Sequence, residues 1–198
     1  MPIMDWDGGA GHEISKVYDY DGTTQHQIGK VYDYNGTASS LIYSAEEVLY
    51  DGGMVVPFEQ YSSVSNASYI YTSLADNGTD LYAKVHYNLE GNDFYSGYAV
   101  WRTQQPIDLS QYSALCIRAR VWNRWNSYNG VKVEFWDANN VSVGSIPVQE
   151  NQAGVTTDSE WTFDLSAFNS PVKVGITAWQ TYSNGRGAEF NLYKMTLS

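Results

Sequence analysis

SALCIRARVW, residues 113–122, alternates apolar and polar side chains with a period of two. That is the mark of a strand with one buried face. Leu115, Ile117, Ala119 and Val121 share one side, and Cys116, Arg118, Arg120 and Trp122 share the other. The same parity runs through GVKVEFWDA, residues 130–138, where Val131, Val133 and Phe135 turn inward and Lys132, Glu134 and Trp136 outward. In PVKVGITAW, residues 171–179, the inward set is Val172, Val174, Ile176 and Ala178, which leaves Lys173, Thr177 and Trp179 outside. From residue 54 onward comparable runs (TDLYAKVHYNL, SGYAVWRT, NVSVGSIPVQ, SEWTFDL, AEFNLYKMTL) are separated by Gly, Asn, Asp, Ser and Pro. No segment carries the helical periodicity that parallel crossovers require. The pattern predicts an all-β fold, an antiparallel β-sandwich, over residues 54–198.

With 198 residues, the chain has room for one buried domain and an appendage. Hydrophobic residues make up 43% and charged residues 17%, a balance that excludes disorder throughout. There are 11 basic against 22 acidic residues, and the net charge of −11 repels phosphate backbones. Nucleic-acid binding and docking on anionic lipid are therefore not expected, and an uncharged partner fits better. Cys116 is the single cysteine, so no intrachain disulfide can form. The N-terminus, MPIMDWDGGAGHE, has neither a basic nor an apolar region, so the expectation is synthesis in a cytoplasm without a signal peptide. Exit would then be by lysis or by assembly into a particle.

Residues 12–25, HEISKVYDYDGTTQ, and 26–39, HQIGKVYDYNGTAS, repeat without a gap. Asp21-Gly22 and Asn35-Gly36 predict two-residue turns, which makes residues 1–40 a segment of β-hairpin repeats. Two hairpins cannot bury a core alone, so the segment has to dock or self-associate. The acidic run Asp19-Tyr20-Asp21-Gly22 resembles the start of a calcium loop, but the twelfth position is Lys30, or Ser44 counting from Asp33, where a bidentate Glu is required. His12 and His26 recur once per unit; in a trimer they could ring a metal, and the simpler reading is solvated strand starts. Residues 41–53 form the connector, and SSLIYSAEEVLYDGG, residues 39–53, is the one segment read as a short helix.

Trp122, Trp136 and Trp179 all face away from the predicted core. A hairpin through the loop 123–130 would set Arg120 beside Glu134 and Arg118 beside Trp136 on an outer face. The loop adds Trp125 and Tyr128 among amides. Outward aromatics beside amides and charges suit sugars, whose C–H faces pack on rings while their hydroxyls exchange hydrogen bonds with polar groups. The candidate ligand residues are therefore Trp122, Trp125, Tyr128, Trp136, Arg118, Arg120, Glu134 and Trp179. Alternatively the same rings face neighbouring subunits in a purely structural decoration or spike protein. His86 reads as a strand-surface residue, and no hydrolase or phosphate-binding motif accompanies it, so no enzyme is expected.

PIDLSQYSALCIRARVW with VKVEFWDANN, then SEWTFDLSAFNSPVKVGITAW and AEFNLYKMTL, resembles the jelly roll of carbohydrate-binding modules. The resemblance implies a glycan ligand and a structural calcium, for which Glu59 and Glu189 are the candidates, although the usual paired aspartates before the last strand are absent. Residues 13–37, with their repeated E-I-x-x-V-Y-D-x-x-G form, look like the openings of virion-associated proteins of tailed phages of Gram-positive bacteria. That resemblance implies a virion protein, a homotrimer assembled through the repeats with other virion proteins as partners, and a jelly roll displayed for attachment to host-surface or mucosal carbohydrate.

Overall fold

The alternating strands stack as two antiparallel sheets, whose inward residues interleave to make the core. The computed structural model describes residues 4–7, 10–13, 17–20, 25–28, 30–34, 39–44, 46–87, 95–123, 129–150, 154–155, 158–168, 170–181 and 187–198, with side chains from residue 46 onward apart from 87, 149, 150 and 155. Two compact units result, Met1–Glu47 and Val48–Leu197.

Among the described residues, the first unit has three antiparallel strand pairs: β1 (Met4–Asp7) with β2 (Ala10–Glu13), β3 (Val17–Tyr20) with β4 (Gln25–Ile28), and β5 (Lys30–Tyr34) with β6 (Ser39–Ser44). In each repeat the VYDY strand pairs with the segment that follows it. Tyr20 faces Gln25 and Tyr34 faces Ser39; the turns expected at Asp21-Gly22 and Asn35-Gly36 lie outside the described residues. The side chains of His12 and His26 lie outside the described residues.

Among the described residues of 39–53 there is no helix; β6 and β7 (Glu47–Asp51) stand where it was expected. The reason is tertiary. In the last strand, β19 (Gly187–Leu197), pairing with β10 (Leu81–Tyr87) reaches only to Leu192. Strand β7 pairs with β19, and the amide of Gly52 donates to the Tyr193 carbonyl at 3.1 Å. An open sheet edge outweighs a weak local helix preference, and Leu49 and Tyr50 are fully buried as a result. The expected connector thus contributes a strand to the sandwich.

One sheet of the sandwich comprises β7, β9 (Ile70–Asp76), β10, β13 (Ala114–Asn123), β16 (Gly154–Val155), β17 (Ser159–Asp164) and β19. The other comprises β8 (Phe58–Val64), β11 (Gly97–Thr103), β12 (Ile107–Asp108), β14 (Asn129–Trp136), β15 (Ser142–Glu150) and β18 (Pro171–Gln180). The inward residues expected from parity in β13, β14 and β18 are all buried, alongside Ala83, Val85, Trp101 and Phe190. The fold is an antiparallel β-sandwich preceded by β-hairpins. The two D-L-S phrases are two copies of one turn. Asp108 and Asp164 each accept the amide two residues on, at 3.0 and 2.8 Å, and Leu109 and Leu165 drop into the core. Among the described residues no helix is long and apolar enough to cross a membrane.

The buried pair on β7 fixes where the sandwich begins. A chain starting at Met54 is expected to lose about 3 kcal/mol or more against one starting at Glu46, since two large side chains leave the core. Urea midpoints measure the difference, and equal midpoints would place β7 outside the cooperative unit.

Candidate functional site

Cross-strand register arranges the outer face of the six-stranded sheet as a grid. Glu59, Arg102, Gly175 and Glu134 form one row; Tyr61, Val100, Thr177 and Lys132 the next; Ser63, Tyr98, Trp179 and Gly130 a third. Over these rows opens a cavity of about 520 Å3 lined by Tyr61, Tyr98, Val100, Arg102, Lys132, Glu134, Trp136, Asn140, Ser142, Thr177 and Trp179. Its size is that of a small-ligand site. Gly175 holds the middle of the first row. A Cβ there would fall 2.4 Å from the Trp101 carbonyl oxygen, so only glycine lets β18 approach β11 this closely.

Each charge in the grid is held in place. Arg102 Nε donates to Glu59 Oε1 at 2.7 Å, and Lys173 Nζ donates to the same oxygen at 2.8 Å. The Arg102 guanidinium also stands 5.5 Å from the ring centre of Tyr61 and 5.3 Å from that of Trp136, within cation–π range of both. Glu134 accepts Ser142 Oγ at 2.7 Å and Lys132 Nζ at 3.1 Å on one oxygen, and Thr177 Oγ1 at 2.9 Å on the other. Burial would raise the Glu59 carboxyl, but hydrogen bonds from Lys173 and Arg102, together with their charges, hold it below its ordinary value.

The aromatic groups divide by availability. Trp136 is 6% exposed, whereas Tyr61 is 47% exposed. Tyr98 and Trp179 are half-buried, and Trp179 Nε1 is itself buried, so that indole meets the cavity with ring carbon. Tyr61 and Tyr98 lie 5.6 Å apart at a 45° tilt, with their hydroxyls 3.4 Å apart. Burial, then the Tyr61 hydroxyl, pushes the Tyr98 phenol upward, which keeps it neutral.

Of the residues proposed from sequence, Glu134, Trp136 and Trp179 line this cavity. Arg118, Arg120 and Trp122 do not; they lie on β13 in the other sheet. The expected pairings of Arg120 with Glu134 and Arg118 with Trp136 are not formed, because both edges of β13 are already bonded to β17 and β19. Strand β13 ends at Asn123 in the seven-stranded sheet and β14 begins at Asn129 in the six-stranded one, so the two strands do not pair as the expected hairpin. Arg118 pairs with Asp158 at 2.8 Å and lies over Tyr193, while Arg120 and Trp122 stand opposite Asn191 and Glu189. Trp125 and Tyr128 lie outside the described residues. Tyr61, Tyr98, Arg102, Asn140 and Ser142 were not singled out from sequence, although the alternation of SGYAVWRT marks Tyr98 and Arg102 as partners in parity.

The two glutamates considered for calcium sit on separate sheets. Glu59 is taken by two cations, and Glu189 contacts Lys84 at 3.7 Å and Tyr82 Oη at 3.3 Å. Among the described residues no three His, Cys, Asp or Glu side chains gather as a metal site. His86 is half-buried on the outer face of the seven-stranded sheet, its ring 5.3 Å from that of Tyr71.

No family model matches the chain, and no curated protein matches it. Among solved structures, a family 11 carbohydrate-binding module of a cellulosomal cellulase of Clostridium thermocellum is similar at 14% identity and a TM-score of 0.42, over 77% of this chain and 94% of that one. A carbohydrate-binding module of the β-sandwich superfamily is similar at 12% identity and 0.45, over 92% and 86%. The enzymatically active domain of tailspike protein 4 of bacteriophage CBA120 is similar at 9% and 0.38, over 71% of this chain and 19% of that one. Likenesses this weak carry nothing about what this chain binds.

The depressed Glu59 carboxyl makes a pH prediction. A group with a lowered folded value stabilises fully above its ordinary range, and that contribution disappears as pH falls through the lowered value. Glu59→Gln is therefore expected to be less stable than the natural chain at about pH 6, with the gap narrowing by about pH 3. Thermal melts at both pH values measure it, and a constant gap would remove the ion-paired carboxylate as its source.

Proposed function

We propose that the sandwich is a non-enzymatic glycan-binding domain, and that the chain is a virion protein of a tailed phage displaying it for attachment to host-surface or mucosal carbohydrate. One observation carries the binding reading: the cavity joins ring surface from Tyr61, Tyr98 and Trp179 to hydrogen-bonding groups from Lys132 and Ser142 on the same sheet and from Asn140 in the turn between β14 and β15. Sugar rings offer apolar faces and hydroxyl edges in the same alternation. The two carboxylates of the grid support a binding role over hydrolysis. Glu59 is held ionised by Arg102 and Lys173, and Glu134 is engaged by Ser142, Thr177 and Lys132, so both carboxylates are taken up by side chains of the sheet itself. The virion part of the reading rests on the repeat at residues 13–37 and on the weakness of single sugar sites, which multivalent display through a trimeric segment would offset.

A glycan array of the full chain tests the site. Tyr98→Ala and Trp179→Ala are each expected to weaken binding about tenfold or more, because each removes ring surface from the cavity. Trp122→Ala, on the other sheet, is expected to bind as the natural chain does. Binding lost only in Trp122→Ala would move the site to the seven-stranded sheet, and binding to no glycan would favour the structural decoration reading.

Display is tested separately by light scattering. The full chain is expected at three times its monomer mass and a chain starting at Glu46 at one. A monomer in both cases would remove the trimer.

A further inference from the structure

The net charge of −11 argues for an uncharged ligand, but the charge at the cavity has the opposite sign. Among the described residues that line or brace it there are three cations, Arg102, Lys132 and Lys173, and two carboxylates, Glu59 and Glu134. One positive charge is left over. At physiological ionic strength charges are screened within about 8 Å, so a ligand in the cavity responds to this local excess and little to the rest of the chain.

The three cations are unequally available. The side chains of Arg102 and Lys173 are 9% and 10% exposed and are committed to Glu59, with Arg102 further enclosed by Tyr61 and Trp136. Lys132 is 23% exposed and lies one row nearer Tyr98 and Trp179. Its ammonium has three N–H donors, and the described contacts place one on Glu134. Glu134 draws further hydrogen bonds from Ser142 and Thr177, so its charge stays satisfied when Lys132 turns toward a ligand.

Resting on the glycan-binding reading, we infer that the cavity selects an acidic glycan, a sugar whose ring bears a carboxylate, with that carboxylate on Lys132 Nζ and the ring against Tyr98 and Trp179. A ring carboxylate is rigidly placed relative to the sugar face, so one residue of the glycan satisfies the ammonium and the aromatic surface together. Charge-assisted contacts of this kind are stronger than neutral ones and set which ligand is accepted.

The test uses the full chain and matched pairs of polymers: polygalacturonate, alginate, glucuronoxylan and hyaluronan, each beside its carboxyl-reduced neutral form. Binding is expected to at least one acidic member, to be lost on reduction, and to fall several-fold between about 50 and 300 mM salt. Lys132→Met is expected to weaken that binding about tenfold while Lys132→Arg restores it, with unchanged melting temperatures showing that the fold is kept. Reduced forms bound as tightly as acidic ones would overturn the inference and leave the glycan-binding reading standing. If these polymers and a full neutral glycan array are all left unbound, the binding reading fails as well.

Discussion

The outer face depends on the register of a single strand. Trp101, in the middle of β11, enters the core and its Nε1 donates to the Tyr82 carbonyl of the opposite sheet at 2.9 Å. That bond ties the two sheets together at a fixed residue. Because side chains alternate, it also fixes Tyr98, Val100 and Arg102 on the far side, and a slip of one residue would bury Arg102 and expel the indole. Strands β8 and β18 take their registers from β11, and β14 takes its own from β18. The cavity is thus a consequence of how the core is pinned, and Gly175, admitted only without a Cβ, keeps the strands close enough for the rows to align.

Charges on this face are nearly as buried as a core. Arg102, Lys173 and Glu134 are each under a tenth exposed although they point away from the hydrophobic interior. Buried ion pairs contribute little net stability, because desolvation offsets their attraction, yet removing one partner is costly. Their value here is positional. With Glu59 shared between two cations, neither Arg102 nor Lys173 is free to collapse into the cavity, and Glu134 is held by Ser142 and Thr177 as well as by Lys132. A site held open in this way binds without first ordering its own side chains, which reduces the entropic cost of association.

Parity made the core legible: every inward residue expected in β13, β14 and β18 is buried. It could not show which sheet a strand joins. Arg118, Arg120 and Trp122 obey the same alternation as Lys132, Glu134 and Trp136, and only the nonlocal pairing of β13 with β17 and β19 separates them. The same blindness turned β7 into a helix, since the capture of EEVLY by β19 is not written locally. The two D-L-S turns, at 108–110 and 164–166, are local features of the kind a sequence can carry, since each Asp accepts the amide only two residues on.

Outward is also a weaker property than available. Trp136 faces away from the core as parity requires, but the Arg102 guanidinium lies over its ring and leaves it 6% exposed. It serves as a wall that holds the cation. Tyr61, on the edge strand β8, keeps close to half its surface free, and Trp179 presents carbon because its nitrogen is turned away. An aromatic count would have ranked the tryptophans first. The packing ranks Tyr98, Trp179 and Tyr61 as the surfaces a ligand can touch, and assigns Trp136 to keeping Arg102, and through it Glu59, where the electrostatics of the site require them.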